Sequence, residues 1–386
     1  MSDLNENPRL AWEMLVDNNL VGLRRAGRFL TADLRGPHRV LTTSVRHGGQ
    51  VDYLQHLLNH QSCEGTAHLE RHRLMVEAGL DAYHDRACAE AMLPAATTAV
   101  MGTAANMNYV AIAQETDEGL AVMAAVTAGV EGNATAAGEP AHWRETEAGI
   151  EKVPAYAGTI NTMLFINRPL TPAALARVVV TMTEGKSAAL QRLAVPSKRH
   201  VDLATGTGTD QYCIAIPLID APPLTSASPH MKLGELVGLV ARQATLEALR
   251  WQNGLEPSYT RGVFHALGRF GVKEATFFED IAPFLDDSDL ELLRKNTKAA
   301  LFEPLVGTAA HALAAVCDRV RFGTVPQSAA PDAMAQHAAT LAANLAAQIQ
   351  RWSEFRLRLR PHANGDVKDL ALRALALGWT EKWRQP

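Results

Sequence analysis

The chain has 386 residues, 47% hydrophobic and 20% charged, with a formal net charge of −4. That balance excludes a disordered chain, and 37 basic against 41 acidic residues exclude a general field for a polyphosphate partner. The length predicts two domains. Cys63, Cys88, Cys213 and Cys317 are widely spaced with no C-x-x-C pair, which argues against a disulfide framework and a zinc-thiolate site. The opening Met1-Ser2-Asp3-Leu4-Asn5-Glu6 is polar and acidic rather than a secretory leader, and no run of ~18 apolar residues predicts a membrane span. The expectation is a cytoplasmic protein with neither nucleic acid nor membrane as partner.

In chain order, Trp12–Val16, Gly27–Leu34 and Arg39–Val45 carry Val, Leu, Thr and aromatics between turn residues and predict strands. Gln50–Asn59 reads as a helix, and His68–Leu80 and His84–Leu93 as two more. Tyr109–Gln114, Leu120–Val130, Ile160–Asn167 and Tyr212–Pro217 read as strands. Thr171-Pro172 is a helix start, because threonine caps well and proline is tolerated at the first helical position. Leu175, Val178, Val179, Met182, Leu190 and Leu193 continue it as an apolar stripe. Lys232–Gln252 is a further helix, stopped by Asn253-Gly254. Strands interleaved with helices predict an α/β (α+β) domain over residues 1–255: a layered mixed sheet with flanking helices.

After Pro257 the strand signals stop. Phe277–Leu285, Asp287–Ala300, Pro304–Val320, Pro331–Arg351 and Asp366–Trp383 predict an all-α module over residues 256–386. Arg356, Arg358 and Arg360 alternate with Leu357 and Leu359 there and read as a solvated basic edge. The module's apolar faces require burial, and self-association, cover for a site or contact with a partner are its expected roles.

Two histidine pairs, His56/His60 and His68/His72, have the spacing that on a helix shares one face. His68-Leu-Glu-Arg-His72 is not the H-E-x-x-H order and no third ligand is placed, so no metal site is assigned. Ala204-Thr-Gly-Thr-Gly-Thr-Asp210 is more informative. If extended, it puts Thr205, Thr207 and Thr209 on one side. Gly206 and Gly208 let a ligand approach the backbone, and Asp210 adds a carboxylate. It lacks the G-x-G-x-x-G pattern and the Gly-Lys-Ser/Thr of a P-loop. Asn161 opens an apolar strand, where burial without partners would be costly, so it caps that strand or faces a ligand. Gly185 sits inside the Thr171 helix at a cost of about 1 kcal/mol relative to alanine, which suggests close packing there.

Taken together these residues resemble the adenosylcobinamide amidohydrolase family. The resemblance is carried, in order, by Gly158-Thr-Ile-Asn161, Pro169-Leu-Thr-Pro172-Ala173-Ala174-Leu175, Thr183-Glu184-x-Lys186-x-Ala188-Ala189-Leu190, Ala204–Asp210 and Lys232-Leu233-Gly234-Glu235-Leu236. Upstream, His47-Gly48-Gly49, Asn59-His60-Gln61, Met101-x-Thr103-Ala104-Ala105 and Val126-Thr127-Ala128-Gly129 with Asn133 agree. It covers roughly residues 20–250, and departs from the pattern at Thr162, Gly185 and Glu131-Gly132. It implies hydrolysis of the aminopropanol amide of adenosylcobinamide, a step of corrinoid salvage, with cobalt arriving inside the substrate and no cofactor held by the protein.

Amide hydrolysis requires a nucleophile, a proton donor for the leaving amine and oxyanion donors. The candidates are Asp210, Glu184, Lys186 and Thr159, with His47, Asn59, Asn133, Asn161, Thr205, Gly206, Thr207, Gly208 and Thr209 as substrate contacts. Two routes stay open: a carboxylate activates water, or a threonine attacks and forms an acyl-enzyme. A second similarity bears on this. Thr162-Met163-Leu164-Phe165-Ile166, Leu170–Leu175 and Gly208-Thr-Asp210 are similar to the ornithine acetyltransferase family, whose threonine nucleophile is exposed by self-cleavage. That likeness implies a layered αββα architecture with Thr159 or Thr162 as nucleophile. A corrinoid-binding module without catalysis is the third expectation.

Overall fold

The computed structural model describes residues 10–62, 68–141, 144–147, 149–151 and 158–384. The opening Met1–Glu6 and Cys63 lie outside them. The described chain divides into two compact units. One holds the residues up to Arg199 and Leu203–Gly254, the other His200–Asp202 and everything from Leu255.

In chain order the first unit contains β1 (Glu13–Asp17), β2 (Val21–Ala26), β3 (Phe29–Leu34), β4 (His38–Thr42), β5 (Gly49–Val51), β6 (His56–Gln61), α1 (His68–Glu90), β7 (Thr98–Thr103), β8 (Ala111–Asp117) and β9 (Leu120–Ala128). It continues with β10 (Ala134–Thr135), β11 (Arg144–Thr146), β12 (Gly149–Glu151), β13 (Ile160–Ile166), α2 (Pro172–Arg192), β14 (Gly206–Thr207), β15 (Gln211–Pro217) and α3 (Lys232–Asn253). One sheet has the order β1-β2-β3-β6-β7 and the other β5-β4-β15-β13-β9-β8. Both are mixed: β6 and β7 run parallel, as do β13 and β15, among antiparallel neighbours. Two short ladders, β10-β14 and β11-β12, complete the unit.

Side chains alternate across a strand, so each core-facing row is read at every second residue. Leu57, Ala99 and Met101 from the first sheet meet Met123, Ala125, Met163, Phe165, Cys213 and Ala215 from the second in one buried cluster. The two sheets therefore pack face to face. Beyond the first sheet, Phe29, Leu58 and Val100 pack against Ala87 and Cys88 of α1 and Ala91 just after it. Beyond the second lie α2 and α3, whose apolar stripes are buried. The order is helix, sheet, sheet, helix, as the layered expectation has it.

α2 begins as predicted, with Thr171 Oγ accepting the Ala174 N–H at 3.2 Å and Pro172 at the first helical position. A Cβ at Gly185 would lie 2.6 Å from the Gly238 carbonyl. The glycine lets the backbones of α2 and α3 touch, which accounts for its place inside a helix. α3 stops at Gly254 in the left-handed conformation, φ 62°.

The predicted helix Gln50–Asn59 is wrong: the segment is β5, a loop and β6. Strands β2 and β7 had no counterpart in the sequence reading. His56 and His60 thus sit on a strand rather than a helix, and they do not converge. The His56 ring hydrogen-bonds Asp33 at 2.8 Å, whereas His60 Nδ1 lies 3.0 Å from the Tyr83 hydroxyl on the α1 side. His68 and His72 fall on a helix, but their side chains lie outside the described ones. Among the described residues no cluster of His, Cys, Asp and Glu could hold a metal. Two helices are predicted around residue 80, and α1 is indeed two helices that meet at a kink at Gly79, φ 83°.

His60 is stacked between Phe29 and Tyr83. Burial, with Arg28 adding to it, pushes its imidazole down to about 4 from an ordinary 6.5. The unfolded chain binds this proton below pH 6.5 and the folded one only near pH 4. Stability is therefore complete above 6.5 and lost as pH falls between the two values. The loss is ~3 kcal/mol. Urea melts at pH 7 and pH 4 should show it, and His60→Phe should flatten the dependence.

The second unit contains α4 (Pro257–Thr260), α5 (Val263–Leu267), α6 (Phe277–Ile281), α7 (Asp287–Leu301), α8 (Pro304–Arg321), α9 (Ala330–Ala346), α10 (Trp352–Leu359) and α11 (Val367–Lys382) around its own core. α9 ends at Ala346, five residues short of the prediction, before a left-handed Ala347. The arginine alternation lies on α10 and the turn after it, and is not merely solvated. Arg356 and Arg360 pair with Asp332, and Arg358 pairs with the buried Glu381. Among the described residues no single helix is long and apolar enough to cross a membrane.

Candidate active site

At one end of the sandwich five core-facing rows turn polar. Leu57 is followed by Asn59 on β6, Met101 by Thr103 on β7, and Ala125 by Thr127 on β9. Met163 is preceded by Asn161 on β13, and Cys213 by Gln211 on β15. Asn59, Thr103, Thr127 and Asn161 are all buried, and buried polar groups must find partners. Thr103 Oγ accepts the Ala105 N–H at 3.0 Å, and the other three find one another across the sheets. Asn161 Nδ2 donates to Asn59 Oδ1 at 2.9 Å and to the Gly102 carbonyl at 3.1 Å, and Asn59 Nδ2 donates to Thr127 Oγ at 2.8 Å. Gln211 Oε1 accepts the Gly102 N–H at 3.0 Å. Asn161 and Gln211 are register neighbours on β13 and β15, so two side-chain amides grip both polar groups of one residue on edge strand β7.

Over this buried layer lies the hairpin at 204–210. The extended expectation holds only to Thr207: Gly206–Thr207 pair with Ala134–Thr135, and the chain then turns. The three threonines consequently face different partners. Thr205 Oγ accepts the Ala137 N–H at 2.9 Å, Thr207 Oγ donates to Asp210 Oδ1 at 2.6 Å, and Thr209 Oγ donates to the Gly158 carbonyl at 3.0 Å. Asp210 is the hub. Its Oδ1 also accepts the Ile160 N–H at 3.0 Å, and its Oδ2 forms an ion pair with Lys186. A Cβ at Gly206 would lie 2.8 Å from Lys186 Nζ, so this glycine admits the ion pair against the backbone.

α2 holds the hairpin by one face. Lys186 reaches Asp210, Ser187 Oγ donates to the Thr205 carbonyl at 2.9 Å, and Gln191 Nε2 donates to the Ala204 carbonyl at 3.1 Å. Glu184, two residues before Lys186, is turned about 200° away on the helix and is exposed. The geometry does not bring it to Asp210.

Thr159 is buried, and its hydroxyl lies 2.6 Å from the Thr209 carbonyl and 3.3 Å from Asn161 Oδ1. Asn133 Nδ2 donates to the Gly158 carbonyl at 3.0 Å and to Thr209 Oγ at 3.2 Å, and Gly208 lies exposed against this asparagine. Thr162 faces the helices, on the opposite side of β13 from Asn161. His47 is placed elsewhere: its ring meets the Tyr53 hydroxyl at 2.9 Å and the Ala95 carbonyl at 3.0 Å. Cys213 is no thiolate nucleophile, since burial pushes its thiol up to about 12.

The sequence reading missed Gln211, and with it two residues at the end of α3. Gln252 Oε1 accepts the Asn106 N–H at 2.9 Å and Asn253 Oδ1 accepts the Val130 N–H at 3.1 Å. The segment 102–106 is thereby held at each end by a glutamine carbonyl. The signal that marks Gln211 is the change from apolar to polar in a row of alternate residues.

These features define an αββα protein whose polar end is built from side-chain amides, threonine hydroxyls and one lysine–aspartate pair, groups suited to holding carboxamides. The chain belongs to the adenosylcobinamide amidohydrolase family, whose model matches residues 15–257 and so spans the whole polar end. It is 34% identical over 167 residues to an uncharacterized protein of Methanocaldococcus jannaschii, a match covering 41% of this chain and 65% of that protein. The chain thus matches a little under two thirds of that relative's length.

Proposed function

We propose that this chain hydrolyses the aminopropanol amide of adenosylcobinamide, yielding adenosylcobyric acid and 1-amino-2-propanol, as a soluble cytoplasmic enzyme of corrinoid salvage. The observation that carries the reading is the convergence of Lys186, Asp210 and Thr207 on an amide-lined end of the sandwich, inside the span matched by the family. The chemistry adds water across one C–N bond: hydroxyl to the carbonyl carbon, proton to the leaving amine. The partly exposed hairpin offers backbone and hydroxyl groups to a substrate rich in carboxamides. The buried Asn59–Asn161–Thr127 layer supports it from below rather than touching the ligand. Cobalt belongs to the substrate in this reading.

The test is direct. The purified full chain is mixed with adenosylcobinamide, and free 1-amino-2-propanol is measured by derivatisation and mass spectrometry. Release at enzyme-dependent rate is expected. Tight binding without release would instead make the chain a corrinoid-binding module, and transfer of the acyl group to an added amine would make it an acyltransferase.

A further inference from the structure

We infer that Thr207 is the nucleophile of this reaction, with Asp210 as its proton acceptor and Lys186 as the group that orients Asp210. The inference rests on the amidohydrolase reading and decides between its two open routes, water or threonine.

The hydroxyls at the polar end differ in what stands beside them. A threonine hydroxyl attacks only when a neighbouring group can take its proton, and the arrangement to look for is hydroxyl, base and orienting group in hydrogen-bonded series. The Thr159, Thr209 and Ser187 hydroxyls donate to backbone carbonyls, which are not proton acceptors of that kind. Thr159 is moreover only 4% exposed. Thr135 and Ser197 both donate to Glu139, at 2.7 and 2.9 Å. Glu139 has no lysine or arginine partner among the described residues, so that series stops at two members. Thr207 has all three. Its Oγ donates to Asp210 Oδ1 at 2.6 Å, and Asp210 Oδ2 is ion-paired with Lys186. Two backbone N–H groups, from Ile160 and Thr207 itself, fix the carboxylate further. Thr207 is also partly exposed, as an atom that must meet a bulky substrate has to be.

The steps balance. Thr207 Oγ bonds to the amide carbonyl carbon as its proton passes to Asp210. The C–N bond then breaks, and the proton moves from Asp210 to the departing nitrogen, leaving an ester on Thr207. Water adds to that ester and gives its proton to Asp210. The proton returns to Thr207 Oγ as the C–O bond breaks. One water is consumed, and the Lys186 ammonium keeps its charge throughout. The same carboxylate serves as base and acid in both halves.

The experiment reads rate and covalent adduct together. Thr207→Val keeps the shape of the side chain without its hydroxyl and should lower kcat by at least about 100-fold. Thr207→Ser restores the hydroxyl and should recover kcat to within about tenfold of wild type. Wild-type enzyme, acid-quenched during turnover of adenosylcobinamide and digested, should carry the corrinoid acyl group on the peptide containing Thr207. The Thr207→Ser enzyme should carry it on the same peptide. Thr207→Val turning over within fivefold of wild type overturns the assignment. So does a wild-type enzyme that releases aminopropanol while no adduct forms on the Thr207 peptide at any quench time. The wild-type adduct decides the matter even if Thr207→Val fails to fold. An enzyme that releases no aminopropanol at all sinks the amidohydrolase reading instead, which keeps the two failures apart.

Discussion

Asp210→Ala is expected to lower the unfolding free energy by about 3 kcal/mol and to abolish amide hydrolysis. The carboxylate accepts the Ile160 N–H, the Thr207 N–H and the Thr207 hydroxyl, and it pairs with Lys186. Removing one partner of a buried pair costs about 3–5 kcal/mol, because the other charge is left uncompensated. The side chains of Lys186 and Asp210 keep 16% and 18% exposure, which lets water reach the orphaned ammonium and sets the loss at the lower end. The hairpin also loses its bonds from Asp210 to Ile160 of β13 and Lys186 of α2, and Thr207 loses the partner of its hydroxyl. Denaturant melts of Asp210→Ala, Lys186→Met and the double variant check the stability claim. The double variant should be more stable than the sum of the single losses predicts, with a coupling of about 2 kcal/mol. Additive losses would mean that the pair carries no energy of its own.

The same hub shows what the sequence could and could not reveal. Thr207 and Asp210 are three residues apart, and their i to i+3 contact was within reach of a local reading. Lys186 was found because it lies in a recognisable motif, but so does Glu184. Only the angular step of the helix separates the residue that reaches the hairpin from the one that faces water. The helix bounds at Thr171 and Gly254 were legible because caps and left-handed glycines act locally. β6 was not. Leu54, Leu57 and Leu58 have helical spacing, yet Leu57 faces the opposite sheet and Leu58 faces α1. A strand buried on both faces has no polar side to betray its period. Once β6 is misread as a helix, the row Leu57–Asn59 disappears, and the pairing of Asn59 with Asn161 across 102 residues cannot be anticipated. The end of α9 was misplaced for a different reason: an alanine run contains no stop signal, and Ala347 adopts a left-handed conformation that alanine rarely takes. The polar end as a whole is a long-range object. Each strand contributes one residue, and the pattern emerges only when all five rows are laid in register.

Asn161→Leu tests that object at its centre and is expected to cost about 4 kcal/mol. Asn161 is fully buried, and its amide hydrogens go to Asn59 Oδ1 and the Gly102 carbonyl. Leucine has the same branching and heavy-atom count, so it fills the same site, but the Gly102 carbonyl and the Asn59 amide lose their partner at about 1–3 kcal/mol each. Edge strand β7 then keeps only the Gln211 contact at this point, and the loosened segment 102–106 should reduce turnover as well. Asn161→Asp sharpens the test through its sign. The Gly102 carbonyl has no proton to give, so the new carboxyl must carry one to make that bond, and burial raises its pKa further above the usual value of about 4. A raised folded-state pKa means stability that is present below about pH 4 and lost as pH rises. Relative to wild type, Asn161→Asp should therefore be mildly destabilised in urea melts at pH 4 and severely at pH 8. Asn161→Leu should show the same deficit at both. An equal deficit for the two variants at both pH values would mean that the Gly102 carbonyl is not what Asn161 serves.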